Sequence, residues 1–147
     1  MPNTQSVLGR LRRLIEEVDE VTSSLTDEEL LTAIGDARDT LELRKISGMD
    51  TLAVQSDQSQ ANYGITPDPT LEQAEMLALQ AAGELLEREF RGRVLRGELG
   101  TSWQSGVEME STITAARLYA DAIGNIRGLL ETLILLKFAP STGTRPQ

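Results

Sequence analysis

The stretch from Leu71 to Leu99, "LEQAEMLALQAAGELLEREFRGRVLRGEL", decides the fold. Its apolar residues recur at spacings of three and four, which predicts an α-helix. One ridge at spacing four consists of Ala78, Ala82, Leu86, Phe90 and Val94, flanked by Ala74, Ala81 and Leu85. Thr70 and Gln73 match a capping box at its start. At about 1.5 Å per residue the helix spans roughly 40 Å, so we expect it to form one arm of a long helix hairpin.

Charged side chains occupy the other faces of this predicted helix. Glutamate and arginine alternate at spacing four in the pairs Glu84/Arg88, Glu87/Arg91 and Glu89/Arg93. Such pairs stabilise a solvent-exposed helix face by a few tenths of a kcal/mol each. We therefore interpret the arginines, Arg96 included, as part of a solvated face rather than as a nucleic-acid site, which would also require stacking aromatic residues.

The second arm is the segment "STITAARLYADAIGNIRGLLETLILLKF", predicted to begin near Ser111 or Thr112 and to end before Pro140. Small residues follow one another at spacing four along it: Ala116, Ala120, Gly124 and Gly128. Each glycine costs about 1 kcal/mol of helix propensity, so a compensating gain is expected. We expect this strip to pack closely against another helix, either the preceding helix of the same chain or a helix of another subunit.

The end of this second helix is apolar on more than one side. It carries Leu129, Leu130, Leu133, Ile134, Leu135, Leu136 and Phe138. A surface helix needs only one apolar stripe. Two interpretations stay open, namely burial all round by the bundle together with other chains, and an ordinary core helix.

Two shorter helices are predicted in residues 1–46. The first has apolar residues at helical spacing, and the second begins with a capping box formed by Thr26 and Glu29. The core face of the first reads Leu8, Leu11, Leu14, Ile15 and Val18, and that of the second reads Leu30, Ile34, Ala37 and Leu41.

Residues 47–69 lack a helical period and form a long loop, a kind of segment that tends to be functional or disordered. Within it, "TLAVQ" is compatible with one short strand. A lone strand needs a partner edge for its backbone, which a neighbouring subunit could supply.

The whole chain is predicted to be a single helical domain, residues 1–147, of the all-α class. Its parts are two N-terminal helices (1–46), the loop (47–69), the hairpin (70–138) and an extended polar tail (139–147). The predicted architecture is an antiparallel bundle built on the hairpin. An aromatic content of only 3% supports helices over sheets.

The composition argues against catalysis. The chain has no cysteine and no histidine, which removes thiol nucleophiles, the commonest zinc ligands and the usual general base. Asp36, Asp39 and Glu42 share a helix face but lack a glycine-bearing loop to gather oxygen ligands, so we expect neither a metal nor a cofactor. We also expect no enzyme activity.

Charge and hydropathy restrict the surroundings. A net charge of −9 disfavours tight nucleic-acid binding. No secretion signal and no run of about 18 apolar residues is present, so we expect a soluble protein made in a cytoplasm, with no membrane partner.

Trp103 is the only tryptophan and lies in the polar stretch "GELGTSWQSGVEME" between the two arms. Two interpretations stay open: the indole covers the end of its own hairpin, or it anchors in a pocket of an adjacent subunit.

The order of a long Ala/Leu-rich helix, a short polar Gly/Ser loop, a second long helix and an extended tail resembles the head-to-tail connector, or neck adaptor, proteins of tailed double-stranded DNA bacteriophages. The resemblance covers about Thr70 to Gln147. It is carried by "ALQAAGELLEREFRGRV", "STITAARLYADAIGNIRGLLETLI" and the tail "APSTGTRPQ".

The resemblance implies a homo-oligomeric ring, possibly of twelve copies, in the neck of a virion assembled in the host cytoplasm. Its partners would be the portal protein and the next neck or tail-completion protein, with DNA passing through unbound. The expected partner-binding residues are Trp103, Phe138, Pro140, Thr144, Arg145 and Pro146. The N-terminal helices and the 47–69 loop depart from this pattern. The alternative is a cytoplasmic helical interaction or regulatory protein, perhaps dimeric, without catalytic activity.

Overall fold

The computed structural model describes residues 2–18, 24–96 and 106–137. In these ranges the chain forms helices α1 (Pro2–Glu16), α2 (Asp27–Leu43), α3 (Leu71–Leu95) and α4 (Gly106–Lys137) and strands β1 (Ala53–Gln55) and β2 (Gly64–Thr66). A 3₁₀ turn at Met49–Thr51 precedes β1. The predominantly helical fold is therefore confirmed. A small two-stranded antiparallel sheet accompanies the helices.

Helix α3 is the centre of the fold and packs against α1, α2 and α4. Because neighbours surround it, most of its first half is buried, at Ala74, Met76, Leu77, Ala78, Leu79, Ala81, Ala82, Gly83, Leu85 and Leu86. Gln73, Gln80 and Glu84 leave one side partly open to solvent. Phe90 and Val94, at the far end of the predicted ridge, are only partly buried. The ridge is thus a complete core element over its first three turns and a partly exposed one beyond them.

The starts of α2 and α3 are fixed by the two predicted capping boxes, and both are confirmed. The Thr26 hydroxyl accepts from the Glu29 N–H at 3.2 Å, and the Glu29 carboxylate accepts from the Thr26 N–H at 3.2 Å. At α3 the Thr70 hydroxyl accepts from the Gln73 N–H at 3.1 Å, and the Gln73 amide oxygen accepts from the Thr70 N–H at 2.9 Å. These bonds satisfy amide groups that the first helical turn leaves unpaired.

Helix α4 begins at Gly106 and not near Ser111 or Thr112. The prediction of its start is wrong because it relied on a hydroxyl cap. The predicted end before Pro140 is confirmed, since α4 ends at Lys137.

Helices α1 and α2 cover α3. The predicted core face of α2 is confirmed, with Leu30, Ile34, Ala37 and Leu41 all buried. On α1, Leu8, Leu11 and Ile15 are buried, whereas Leu14 and Val18 are only partly buried. The guanidinium group of Arg10 holds α1 on α3 through two hydrogen bonds to the Glu75 carboxylate, at 3.0 and 3.1 Å.

The loop of residues 47–69 contains two short strands that pair with each other. The predicted strand is confirmed at Ala53–Gln55, and the chain itself supplies the partner edge that a neighbouring subunit could also have supplied. Strand β2 of the same chain pairs with it antiparallel, with Val54 opposite Ile65. The chain reverses through turns between Asp57 and Tyr63, which bring the second strand alongside the first.

Two side chains tie this loop to the helices. The Arg38 guanidinium of α2 donates to the Leu52 carbonyl at 2.8 Å, and the buried Thr4 hydroxyl of α1 accepts from the Ile65 N–H at 3.2 Å. Gly64, with φ of 107°, lies against Thr4, where an added Cβ would stand 3.4 Å from its hydroxyl. The loop is therefore part of the folded body.

Candidate assembly surface

The inner face of α4 packs on α3, and the two helices run antiparallel. Tyr119 lies beside Phe90, with 5.7 Å between the ring centroids. Further toward the C-terminus of α4, Ile126 lies near Gly83, which precedes Phe90 on α3. The side chains that this face buries are Tyr119, Ile126, Leu130 and Ile134. The Arg93 guanidinium stands 5.6 Å from the Tyr119 ring centroid, in the range of a cation–π contact.

The small-residue strip does not belong to this inner face. Ala120, Gly124 and Gly128 are exposed, and Ala116 is half-buried. A Cβ added at Gly124 or Gly128 would meet no atom within 4 Å. The prediction that the strip packs against the preceding helix of the same chain is therefore wrong: α4 turns Ile126 and Leu130, not its glycines, toward α3. Packing against another subunit stays a prediction.

Charged residues flank the strip. Arg127 of α4 pairs with Glu87 of α3, and Glu131 pairs with Arg44 at the end of α2, with 2.8 Å between Nη1 and Oε1. The hydrogen bond from Arg44 lowers the pKa of the Glu131 carboxyl below its usual value. Arg117 and Asp121 are exposed, and neither is in an ion pair within the described residues.

An apolar groove of about 330 Å³ runs between the end of α1 and the middle of α4. Its apolar walls are Leu14 of α1, Val18 in the turn after α1, and Leu118, Ala122, Ile126 and Leu129 of α4. Leu118 is 49% exposed and Leu129 is 55% exposed, so the groove is open to solvent. This groove was not predicted from the sequence, although Ala122, Leu129 and Leu136 recur at a spacing of seven and so lie on one side of α4.

The apolar end of α4 is partly buried. Leu130 and Ile134 are buried against the bundle, whereas Leu135 and Leu136 are 78% and 74% exposed. The single chain therefore leaves one side of the end of α4 exposed. An ordinary core helix would have less of its apolar surface exposed. Burial of the remaining leucines by other chains stays a prediction.

The polar clusters considered in the sequence are engaged within the chain. On α2, Arg38 pairs with Asp39 at 3.0 Å and with Glu42. In the described part of the chain, no group of acidic residues is arranged to hold a metal ion. On α3, the predicted pairs Glu87/Arg91 and Glu89/Arg93 are present.

The third predicted pair on α3, between Glu84 and Arg88, does not form. The Glu84 carboxylate accepts instead from Thr40 at 3.0 Å and from Gln80 at 2.9 Å. A cavity of about 440 Å³ between α2 and β1 is lined in part by polar groups around Arg38. Because Arg38 already bonds to Leu52 and to two carboxylates, this cavity offers no uncommitted cation to an anionic ligand.

The expected partner-binding residues lie outside the described ranges. They are Trp103 in the segment between α3 and α4, and Phe138, Pro140, Thr144, Arg145 and Pro146 after α4. Both interpretations of Trp103 therefore stay predictions. The candidate surface for contacts with other chains consists of the groove, the exposed strip and the exposed leucines of α4.

Comparisons of the chain with protein families, with curated proteins and with solved structures find no match. None of the helices in the described ranges is apolar over a length sufficient to cross a lipid bilayer.

Proposed function

We propose that this chain is a non-catalytic structural subunit that acts by assembling with copies of itself, as a neck ring joining the portal of a DNA-filled phage head to the tail. The observation that carries the proposal is the apolar surface left open along α4, from Leu118 and Leu129 in the groove to Leu136 at the helix end. Exposed apolar surface of this kind is typical of protein–protein contacts.

A closed ring requires two different surfaces on each subunit, because each copy presents one face to the next copy and another face to the previous one. The groove between α1 and α4 supplies a concave face that can receive a helix of a neighbour. Helices α3 and α4 would form the hairpin of the ring wall, and residues 139–147 would form the extended tail that grips the portal. A net charge of −9 suits a conduit through which DNA passes without binding.

The native mass of the protein, measured by light scattering alone and with a candidate portal protein, tests this proposal. We expect a ring-sized oligomer that binds the portal. Replacing both Leu118 and Leu129 by serine should abolish the oligomer while the helical content stays unchanged, because both side chains are about half exposed in the subunit.

Leu43→Ser is the matched control, because Leu43 is 85% exposed at the end of α2 and lies outside the groove. It should leave the oligomer intact. A protein that stays smaller than a ring at all concentrations and does not bind the portal would contradict the neck-ring proposal. A dimer of that kind would favour the alternative function, a helical interaction or regulatory protein of the cytoplasm.

A further inference from the structure

The outward face of α4 has a charge order that ion pairs within the described part of the chain account for only in part, at Arg127 and Glu131. From Arg117 to Glu131 the charged residues in sequence are Arg117, Asp121, Arg127 and Glu131. Gly124 is their midpoint: Asp121 and Arg127 lie three residues from it, and Arg117 and Glu131 lie seven residues from it. Each residue of one sign thus has a residue of the opposite sign at the same distance on the other side of Gly124.

This order is complementary to itself when the helix is reversed. A second α4 placed antiparallel, with its own Gly124 opposite the first, sets Arg117 of each copy at the level of Glu131 of the other. It also sets Asp121 of each copy at the level of Arg127 of the other. Parallel copies in register would instead place like charges together, which is destabilising.

The positions on the helix circumference agree with such a contact. At about 3.6 residues per turn, Arg117 and Glu131 lie only about 20° to either side of Gly124, and Asp121 and Arg127 about 60° to either side. Arg117 and Glu131 are therefore near the centre line of a contact centred on Gly124, where they can meet directly, whereas Asp121 and Arg127 lie on opposite rims. Arg127 and Glu131 are each about half exposed, so they can also reach a second chain while paired with Glu87 and Arg44.

The steric profile has the same centre. Ala120 lies opposite Gly128 of the reversed copy, and Ala116 lies opposite Thr132. All of these side chains are small, and nothing within 4 Å of a Cβ at Gly124 or Gly128 belongs to the chain itself. Two such helices can therefore pack closely, with their axes separated by the lower end of the usual range of roughly 8–10 Å.

We propose that a second copy of this chain packs antiparallel on the outward face of α4, about a two-fold axis at Gly124, with reciprocal ion pairs between Arg117 and Glu131. One pair of helices buries less than the roughly 1,600 Å² of a standard interface, so the dimer is expected to be weak. The contact is separate from the proposed ring, in which all copies point the same way, although Asp121 on its rim also lines the groove. The ring proposal can be wrong while the dimer proposal is right, and the reverse also holds.

A cysteine scan tests the geometry directly, because the chain contains no cysteine. Gly124→Cys places a thiol on the two-fold axis, where it meets its own copy within disulfide distance. The matched control is Thr132→Cys, which is exposed on the same helix but lies eight residues from the axis. Its two copies would be about 24 Å apart, from about 1.5 Å of rise per residue.

Under mild oxidation, we expect disulfide-linked dimer from Gly124→Cys and little from Thr132→Cys. Equal cross-linking of both variants would indicate a parallel or non-specific contact and would overturn the proposal. Absence of cross-linking in Gly124→Cys at high protein concentration would also overturn it. Unchanged helical content in both variants shows that the comparison concerns the folded subunit.

Charge reversal tests the ion pairs by sedimentation velocity, carried out on a background of Leu118→Ser and Leu129→Ser that disables the groove. Arg117→Glu should weaken self-association by at least about tenfold, a change of about 1.4 kcal/mol. Glu131→Arg should do the same, and an equimolar mixture of the two variants should associate again, because both contacts of the mixed dimer are then attractive. Failure of the mixture to associate would overturn the proposed pairing.

Arg44→Gln is the control for Glu131→Arg, because it removes the same pair within the chain but leaves the contact between copies in place. It should leave self-association unchanged. If it weakens association as strongly as Glu131→Arg does, the effect arises inside the subunit and the proposed pairing is wrong.

Discussion

Gly124 illustrates how far a single residue can be interpreted from the sequence. Its cost in helix propensity correctly indicates that a reason for the glycine should exist. The sequence does not indicate which face of α4 the core occupies, because Ile126 and Leu130 lie close to Gly124 and Gly128 along the chain but on the opposite side of the helix. Only the packing on α3 decides between the two faces, and it leaves the glycines exposed.

Gly124→Ala should stabilise the subunit by about 0.5 to 1 kcal/mol, because alanine has the higher helix propensity and the new methyl group meets no atom of the chain. Urea denaturation at low protein concentration, where the chain is monomeric, measures this change. A loss of stability would show that the strip packs within the subunit after all.

Gly48→Ala is the contrasting variant at the residue scale. Gly48 has φ of 89°, and an added Cβ would lie 2.8 Å from the Gln73 amide nitrogen. This substitution should destabilise the subunit by about 1 kcal/mol or more, because the backbone angle is unfavourable for alanine and Gln73 contributes to the cap of α3.

At the scale of elements, local signals were predicted well and long-range pairing was not. The capping boxes at Thr26 and Thr70 depend on residues three positions apart, so the sequence contains the whole interaction. Strand β2 has no such local signal, because Gly64–Thr66 becomes a strand only when β1 lies beside it. The groove was missed for the same reason, since it needs α1 and α4 together.

Thr70→Ala should destabilise the protein by about 1 kcal/mol, because the Gln73 N–H loses its acceptor at the start of the central helix. Thr70→Ser retains the hydroxyl and should have a much smaller effect. Thr32→Ala is the control within a helix: its hydroxyl bonds only to the Glu28 carbonyl in the preceding turn, and alanine is the better helix former. Equal losses in Thr70→Ala and Thr32→Ala, measured by chemical denaturation, would exclude the capping contribution.

At the scale of the whole molecule, the described helices depend on one buried element. Helix α3 contacts α1, α2 and α4, and ten of its residues between Ala74 and Leu86 are buried. The sequence indicates this position indirectly, because the run from Ala74 to Leu86 consists mostly of alanines and leucines, with only Glu75, Gln80 and Glu84 as charged or amide residues. It does not indicate that the similarly apolar end of α4 remains partly exposed, because burial there depends on how many neighbours the fold supplies.

The last prediction uses this difference between two leucines of the same size. Leu77 is fully buried at the centre of α3, so Leu77→Ala should leave a cavity and cost about 2 to 5 kcal/mol, a large part of the 5 to 15 kcal/mol typical of a domain. Leu135 is 78% exposed, so Leu135→Ala should change the stability of the monomer by less than about 0.5 kcal/mol. Because α3 joins all the helices, Leu77→Ala should lower the midpoint of a single cooperative transition, followed by circular dichroism during denaturation. A separate early transition would show that one helix unfolds independently of α3, and an equal loss in Leu135→Ala at monomeric concentrations would show that the end of α4 is already part of the core.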